Sequence, residues 1–213
     1  GPAQHGGGVA GLGLCGGDVG FEHREFDGAL SLACVQRLGL GGGEVGGEVG
    51  ATGGELLAHG WNMDCVHHGG LDEARERQWI ADTLAALSPF AMQPIRGWLS
   101  PARSQSRQTP ELLRAAGLHW CADWVNDELP YAFDTANGAL ASMPLALELE
   151  DRFVIGENLH AESEWADQCI DAADFLLAEA RELDAGRLLA LNLHPWVIGQ
   201  PHRIVHLERV LAH

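Results

Sequence analysis

Residues Leu188 to Arg203 read LLALNLHPWVIGQPHR, and the reading of this stretch decides the fold. Leu188 to Leu193 is a short, almost continuous apolar run, the pattern of a strand buried on both faces as in a parallel sheet. Pro195 has no backbone N–H and biases the residue before it to extended geometry, so the strand stops at His194 with the imidazole at its carboxyl end. Open and barrel α/β folds place their chemistry at that end. Gln200 to His213 follows as a helix, with Pro201 near its first turn and Ile204, Leu207 and Leu211 on one face.

Upstream, strand and helix alternate. Ala161 to Leu183 is a long helix with Trp165, Cys169, Ala172, Leu176 and Ala180 along one side. Before it, Asn126 to Asp151 is loop-like, with short extended pieces around Ala139 to Leu147. Leu118 to Trp124 is a strand ending in Asp123. Thr109 caps a helix begun by Pro110, with Leu112 and Leu113 inward and Gly117 as its stop. Pro94 to Pro101 is a strand bounded by prolines with Arg96 inside it. Asp72 opens a helix with acidic residues in its first turn and Ala74, Ile80, Leu84 and Leu87 inward. Glu55 to Ala58 is a short strand that delivers His59. This alternation predicts βα units with parallel strands.

Residues 1–54 differ in kind. They hold 19 of the 28 glycines, which opposes helix and strand alike and predicts a disordered or non-native leader before a domain at 55–213. Within it only Phe21 to Phe26 and Ala29 to Leu40 have ordering potential, the latter with weak helical periodicity. The net charge of -17 argues against nucleic acid and anionic membranes as partners. All 13 basic residues are arginine, which removes Schiff-base chemistry and a P-loop lysine. No apolar run approaches a membrane span and no signal peptide is evident, so the expected compartment is the cytoplasm. The five cysteines are widely spaced without a CxxC pair and read as reduced thiols.

Polar residues recur at the strand ends: His59, Arg96, Asp123 and His194, with Asp127 just beyond Asp123. Converging in one sheet or barrel, they would surround one mouth. Trp61, Trp98, Trp124 and Trp196, each close to one of these positions, are read as walls of that pocket in preference to an oligomer interface, although an oligomer stays open.

The ordered stretches AHGW, RGWLSP, ADWVNDELPY and LNLHPWVIGQPHR resemble the polysaccharide deacetylase family, most of all its allantoinase-like branch, over about residues 55–213. The resemblance implies a distorted βα barrel of about seven parallel strands, complete or incomplete in this chain, with its chemistry at their carboxyl ends. It also implies hydrolysis of carbon–nitrogen bonds in non-peptide amides, ureides or acetylated sugars. Carried over by residue, His59 matches the first metal histidine, Arg96 the arginine of the third motif, Asp123 and Asp127 the fourth, and His194 the acid. Arg96 would hold a substrate anion or carbonyl, Asp123 would orient it, and His194 would protonate the leaving nitrogen.

Two departures bear on the metal and the base. Met63 stands where the family carries its second metal histidine, and a thioether suits soft copper more than zinc. His59 and Asp64 are then the remaining candidate ligands for a divalent metal such as zinc. His67 and His68, read as an exposed pair, substitute only if the loop folds back. The sequence predicts no tight zinc site. No acidic motif on a first strand is recognisable either: Phe26-Asp27-Gly28 has a faint likeness and Asp18 is no better placed. The competing expectation is therefore a catalytically inactive domain that binds a small ligand or a partner subunit at the same mouth.

Overall fold

The computed structural model describes residues 57–213 apart from 89, 90, 92 and 93, together with the backbone of 31–32, 36–38 and 56. Its strands are β1 (Ser31–Leu32), β2 (Gln36–Leu38), β3 (Leu56–Ala58), β4 (Gly97–Trp98), β5 (Trp120–Cys121), β6 (Tyr131–Phe133), β7 (Leu140–Ser142) and β8 (Arg187–Leu189). Its α-helices are α1 (Glu73–Leu87), α2 (Thr109–Ala115), α3 (Glu162–Leu183) and α4 (Ile204–Ala212). Strands β3, β4, β5 and β7 run parallel in the centre of a sheet ordered β1-β3-β4-β5-β7-β6, with antiparallel edges. The class is thus α/β with a parallel core, as the alternation predicts. Among the described residues no helix is long and apolar enough to cross a membrane.

Register decides what faces where. Ala58, Trp98, Cys121 and Ser142 stand in one row across the four parallel strands, and all four are buried. On this face the strands pack against Ile80 and Leu87 of α1 and Leu112 and Leu113 of α2. Leu57, Leu99 and Ala122 alternate onto the opposite face with Trp120 and Leu145, the period-2 rule of a strand. Gly97 is needed for close packing, because a Cβ there would lie 2.3 Å from the Trp120 ring.

Helix α1 starts where the sequence places it: the Asp72 carboxylate accepts from the Arg75 N–H at 3.0 Å, satisfying one orphan donor of the first turn. Its inward face differs from the prediction. Ala74 is exposed, and Glu76 takes the buried position with Ile80, Thr83 and Leu87. A carboxylate can be buried there because three donors meet it. His67 Nδ1 lies 2.8 Å from Oε1, Thr109 Oγ1 donates to Oε1 at 2.5 Å, and Ser106 Oγ donates to Oε2 at 2.6 Å. His67, expected in an exposed loop, is fully buried, edge-on to Trp79 and Trp98, while His68 is exposed.

Other elements also shift from expectation. The segment read as loop at 126–151 contains the β6–β7 hairpin. The run at Leu188 to Leu193 does not join the parallel sheet along its length; β8 pairs antiparallel with β2, and its three residues are only half-buried. An almost continuous apolar run fits a doubly covered strand, but here β2 supplies a separate pairing edge. The run does approach the main sheet at Ala190, whose carbonyl accepts from Ala146 N at 2.9 Å just beyond β7. Strands β1 and β2 show that part of Ala29 to Leu40 pairs with β3 and β8 and is not helical. Phe21 to Phe26, Asp18, Asp27 and the rest of the glycine-rich segment lie outside the described residues. In α4 Leu207 is the buried residue, with Ile204 and Val210 half-buried, whereas Leu211 is exposed.

Burial would raise the Glu76 carboxyl, but its hydrogen bonds from His67, Ser106 and Thr109 outweigh that and hold it below its ordinary value. A depressed carboxyl contributes stability that is present above its unfolded value and is lost as pH falls through the folded one. Glu76→Ala leaves His67 without its buried partner and is expected to cost about 3–5 kcal/mol in urea unfolding. A cost below about 1 kcal/mol, the size of an exposed pair, would contradict this role.

Candidate active site

The parallel register brings the residues that follow β3, β4 and β5 side by side at the carboxyl end of the sheet. His59 leaves β3 with Nδ1 donating to the Leu99 carbonyl at 2.6 Å. Burial lowers its pKa, and that backbone hydrogen bond only partly opposes the shift. The ring is therefore neutral near pH 7, and its Nε2 carries a lone pair. Gly60 allows the chain to turn here: its φ is +77°, and a Cβ would lie 2.5 Å from the Pro101 ring.

Asp123 follows β5 on the same side as Trp98 and Cys121, facing the helices. Its Oδ1 accepts from Ser100 N at 2.6 Å, and its Oδ2 accepts from Ser100 Oγ at 2.8 Å and Gln105 Nε2 at 2.5 Å. Trp98 Nε1 in turn donates to Ser100 Oγ at 2.8 Å, and Trp124 Nε1 to Gln105 Oε1 at 2.9 Å. Burial lifts the Asp123 pKa, while these donors and the nearby His67 pull against the lift. With three donors on two oxygens, Asp123 braces the loop after β4 and makes no contact with Arg96.

The third cluster surrounds His194. Its Nδ1 donates to Asp151 Oδ1 at 2.7 Å, and its backbone N–H to Oδ2 at 2.9 Å. Arg152 N and Ile198 N complete the carboxylate at 2.8 and 3.3 Å, so Asp151 ties the histidine turn to the segment it caps. Asp151 is wholly buried and caps a π-helical segment, Arg152–Glu157, the kind of irregular turn that recurs at functional sites. Val154, Ile155, Trp165, Leu193, Val197 and Ile198 form one core around it, and Trp165 Nε1 pins the Leu149 carbonyl at 2.9 Å. Glu150, 5% exposed, stands with Oε1 3.5 Å from His194 Nε2. Arg152 Nε lies 3.3 Å from the same oxygen, and Arg103 Nη1 lies 3.9 Å from Oε2.

Arg103 reaches this cluster from a tight turn, Pro101–Arg103, directly after β4. Ala102 and Arg103 both adopt positive φ, 54° and 51°, a conformation that costs non-glycine residues on the order of 1–3 kcal/mol each. The turn is held by Arg103 N to Ser100 O at 2.8 Å and by Ser104 Oγ to Pro101 O at 2.9 Å.

Several sequence-derived candidates are placed elsewhere. Arg96 precedes β4, so it lies at the amino end of that strand, and it is exposed; the proline-bounded run is mostly not strand, which moves the arginine to the wrong end. Trp98 is a core residue with no exposure and cannot wall a pocket. Trp61, Trp124 and Trp196 do follow strand ends and are partly exposed, at 38%, 42% and 53%, and Trp196 meets the His194 ring edge-on at 5.5 Å. Asp127 is exposed and closes a local turn by accepting from Leu129 N at 3.0 Å. Sequence reasoning missed Asp151, Glu150, Arg103 and Gln105. ELEDR at 148–152 is an acidic pair in a stretch without strong periodicity, and only its proximity in space to His194 marks it.

The metal implied by the resemblance fits poorly. His59 has one nitrogen to offer, Asp64 and Met63 are exposed, and His67, with Nδ1 on Glu76, is wholly buried against Trp79 and Trp98. Among the described residues no group of three or more His, Cys, Asp or Glu side chains is gathered as a metal would require. Among the described thiols burial pushes Cys121 and Cys169 up to about 12 and also raises Cys65.

Fold and site together define an α/β domain with a carboxylate-oriented histidine at the carboxyl end of its strands. Among solved structures it is similar to a probable polysaccharide deacetylase from Pseudomonas aeruginosa PAO1, with 25% identity, a TM-score of 0.59 and coverage of 74% of this chain and 52% of that one. It is similar also to the Puue allantoinase, with 25% identity, a TM-score of 0.60 and the same coverages. These likenesses support a deacetylase-like family for the chain, which spans about half the length of either structure. No family model matches the sequence, and no curated protein matches it.

His59 gives a direct check on the site's electrostatics. Its folded pKa is depressed below the ordinary 6.5, so as pH falls below that value the unfolded chain takes up a proton that the folded ring refuses, and this residue's contribution to stability declines. An NMR titration should place the His59 midpoint below 6.5. A midpoint at or above it would mean that the ring is solvated and not bound to Leu99.

Proposed function

We propose that the chain is a hydrolase of carbon–nitrogen bonds in a small non-peptide amide or ureide, the substrate class extending to acetylated sugars. The observation that carries this is the Asp151–His194 pair: Nδ1 is fixed on a buried carboxylate at 2.7 Å while Nε2 makes no hydrogen bond among the described residues and lies 3.5 Å from Glu150. The names of the two similar structures, a deacetylase and an allantoinase, support the same chemistry.

In this reading His194 works as a proton shuttle. With Nδ1–H held by Asp151, the Nε2 lone pair takes a proton from water as its oxygen attacks the carbonyl carbon. The imidazolium so formed is stabilised by Asp151 on one side and Glu150 on the other. When the tetrahedral intermediate collapses, the carbonyl re-forms, the C–N bond breaks, and Nε2–H delivers the proton to the leaving nitrogen. Asp123 keeps the β4 loop in place, and the exposed faces of Trp61, Trp124 and Trp196 offer the apolar rim that small-molecule sites use.

His194→Asn is expected to lower turnover on an amide or ureide by about 10²- to 10⁴-fold. Its melting temperature should fall only as far as loss of one hydrogen bond requires, about 1–3 kcal/mol. A variant that melts early yet turns over normally per folded molecule would remove His194 from the reaction.

A further inference from the structure

We infer that Arg103, and not Arg96, is the arginine of the reaction, and that its guanidinium receives the negative charge that develops on the substrate carbonyl oxygen. The inference rests on the hydrolytic reading of the same site and adds to it the group that stabilises the transition state.

Glu150 Oε1 is 3.5 Å from His194 Nε2, and Glu150 Oε2 is 3.9 Å from Arg103 Nη1. Both are ion-pair separations, so the Glu150 carboxylate lies between the imidazole and the guanidinium, one oxygen toward each. Arg103 has five N–H donors, yet its side chain makes no hydrogen bond among the described residues, and it is 36% exposed. Its position is enforced by a turn with two successive left-handed residues between β4 and the loop that Asp123 braces. Arg152, by contrast, is spent on Glu150 and Glu157, at 3.3 and 3.4 Å. The guanidinium that pairs with Glu150 yet keeps its hydrogen-bond donors unused among the described residues is therefore that of Arg103.

Charge then decides between two uses. A guanidinium could bind an anionic substrate group or an oxyanion that exists only during reaction. The chain carries a net charge of -17, which disfavours the approach of anions. A neutral amide or ureide meets no such barrier, and its carbonyl oxygen becomes negative only when water attacks and the π pair moves onto it. When that pair returns and the C–N bond breaks, Arg103 is released unchanged. A donor placed for the oxyanion is stronger in the transition state than in the ground state, so its loss appears in kcat and not in KM.

The test uses the full chain and the variants Arg103→Gln, Arg103→Ala and Arg96→Gln. With a neutral ureide as substrate, Arg103→Gln should lower kcat about 10²- to 10³-fold, with KM changed by no more than about twofold. Arg96→Gln should leave both constants unchanged. Added guanidinium should recover part of the kcat of Arg103→Ala, a recovery that a merely structural role would not produce. A rise in KM at unchanged kcat, or no effect at all, would overturn the inference. Binding of methylphosphonate, a tetrahedral oxyanion, reads the same group without turnover: it should weaken at least about tenfold in Arg103→Gln, and equal binding to both proteins overturns the inference. If the wild type hydrolyses nothing but loses methylphosphonate binding with Arg103, the hydrolytic reading falls and the oxyanion site stands.

Discussion

Asp151 is a carboxylate with no solvent exposure, and the arrangement of the second half of the molecule depends on its four hydrogen bonds. A buried charge is tolerated only when its oxygens are met by donors. Here two donors come from His194, one from the turn that follows it and one from the π-helical segment that Asp151 itself caps. The carboxylate therefore joins two segments more than forty residues apart in sequence and sets the tautomer and direction of the imidazole. The surrounding core of α3, α4 and the 194–198 turn excludes water from this joint, which strengthens each of its hydrogen bonds.

The first half of the domain repeats the same device with other residues. Glu76 gathers His67, Ser106 and Thr109, and Asp123 gathers Ser100 and Gln105. Both carboxylates hold the loop between β4 and α2, one at its far end and one at its near end. The turn carrying Arg103 lies inside that span. Two buried acids far from the proton chemistry thus fix the place at which a guanidinium meets the Glu150–His194 cluster, and the strain of two left-handed residues is held by this bracing.

Much of the fold was legible in the sequence because the signals were local. The Asp72 cap and the left-handed glycine at 117 act over a few residues and are found where they were expected, whereas α2 already includes Thr109 with Gln108 at its cap, and β8 ends at Leu189, before His194 and its proline. The site was legible in part. His59 follows β3 and His194 comes after β8, each behind a short apolar run that the sequence displays. Arg96 and Trp98 were misplaced because β4 is two residues long, shorter than the proline-bounded run suggests, and a shift along a strand changes both end and face. Asp151 and Arg103 left no local signal. One belongs to a π-helical turn that has no sequence period, and the other owes its position to hydrogen bonds made by residues distant in sequence.

The central claim is that Asp151 orients His194, and the most direct measurement is the proton on the His194 ring, observed by nitrogen-resolved NMR near neutral pH. The account predicts a strongly deshielded proton on Nδ1 that exchanges slowly with water, and predicts that this signal disappears in Asp151→Asn while the rest of the spectrum stays folded. A ring protonated only on Nε2, or an Nδ1 signal indifferent to the loss of the Asp151 carboxylate, would contradict it.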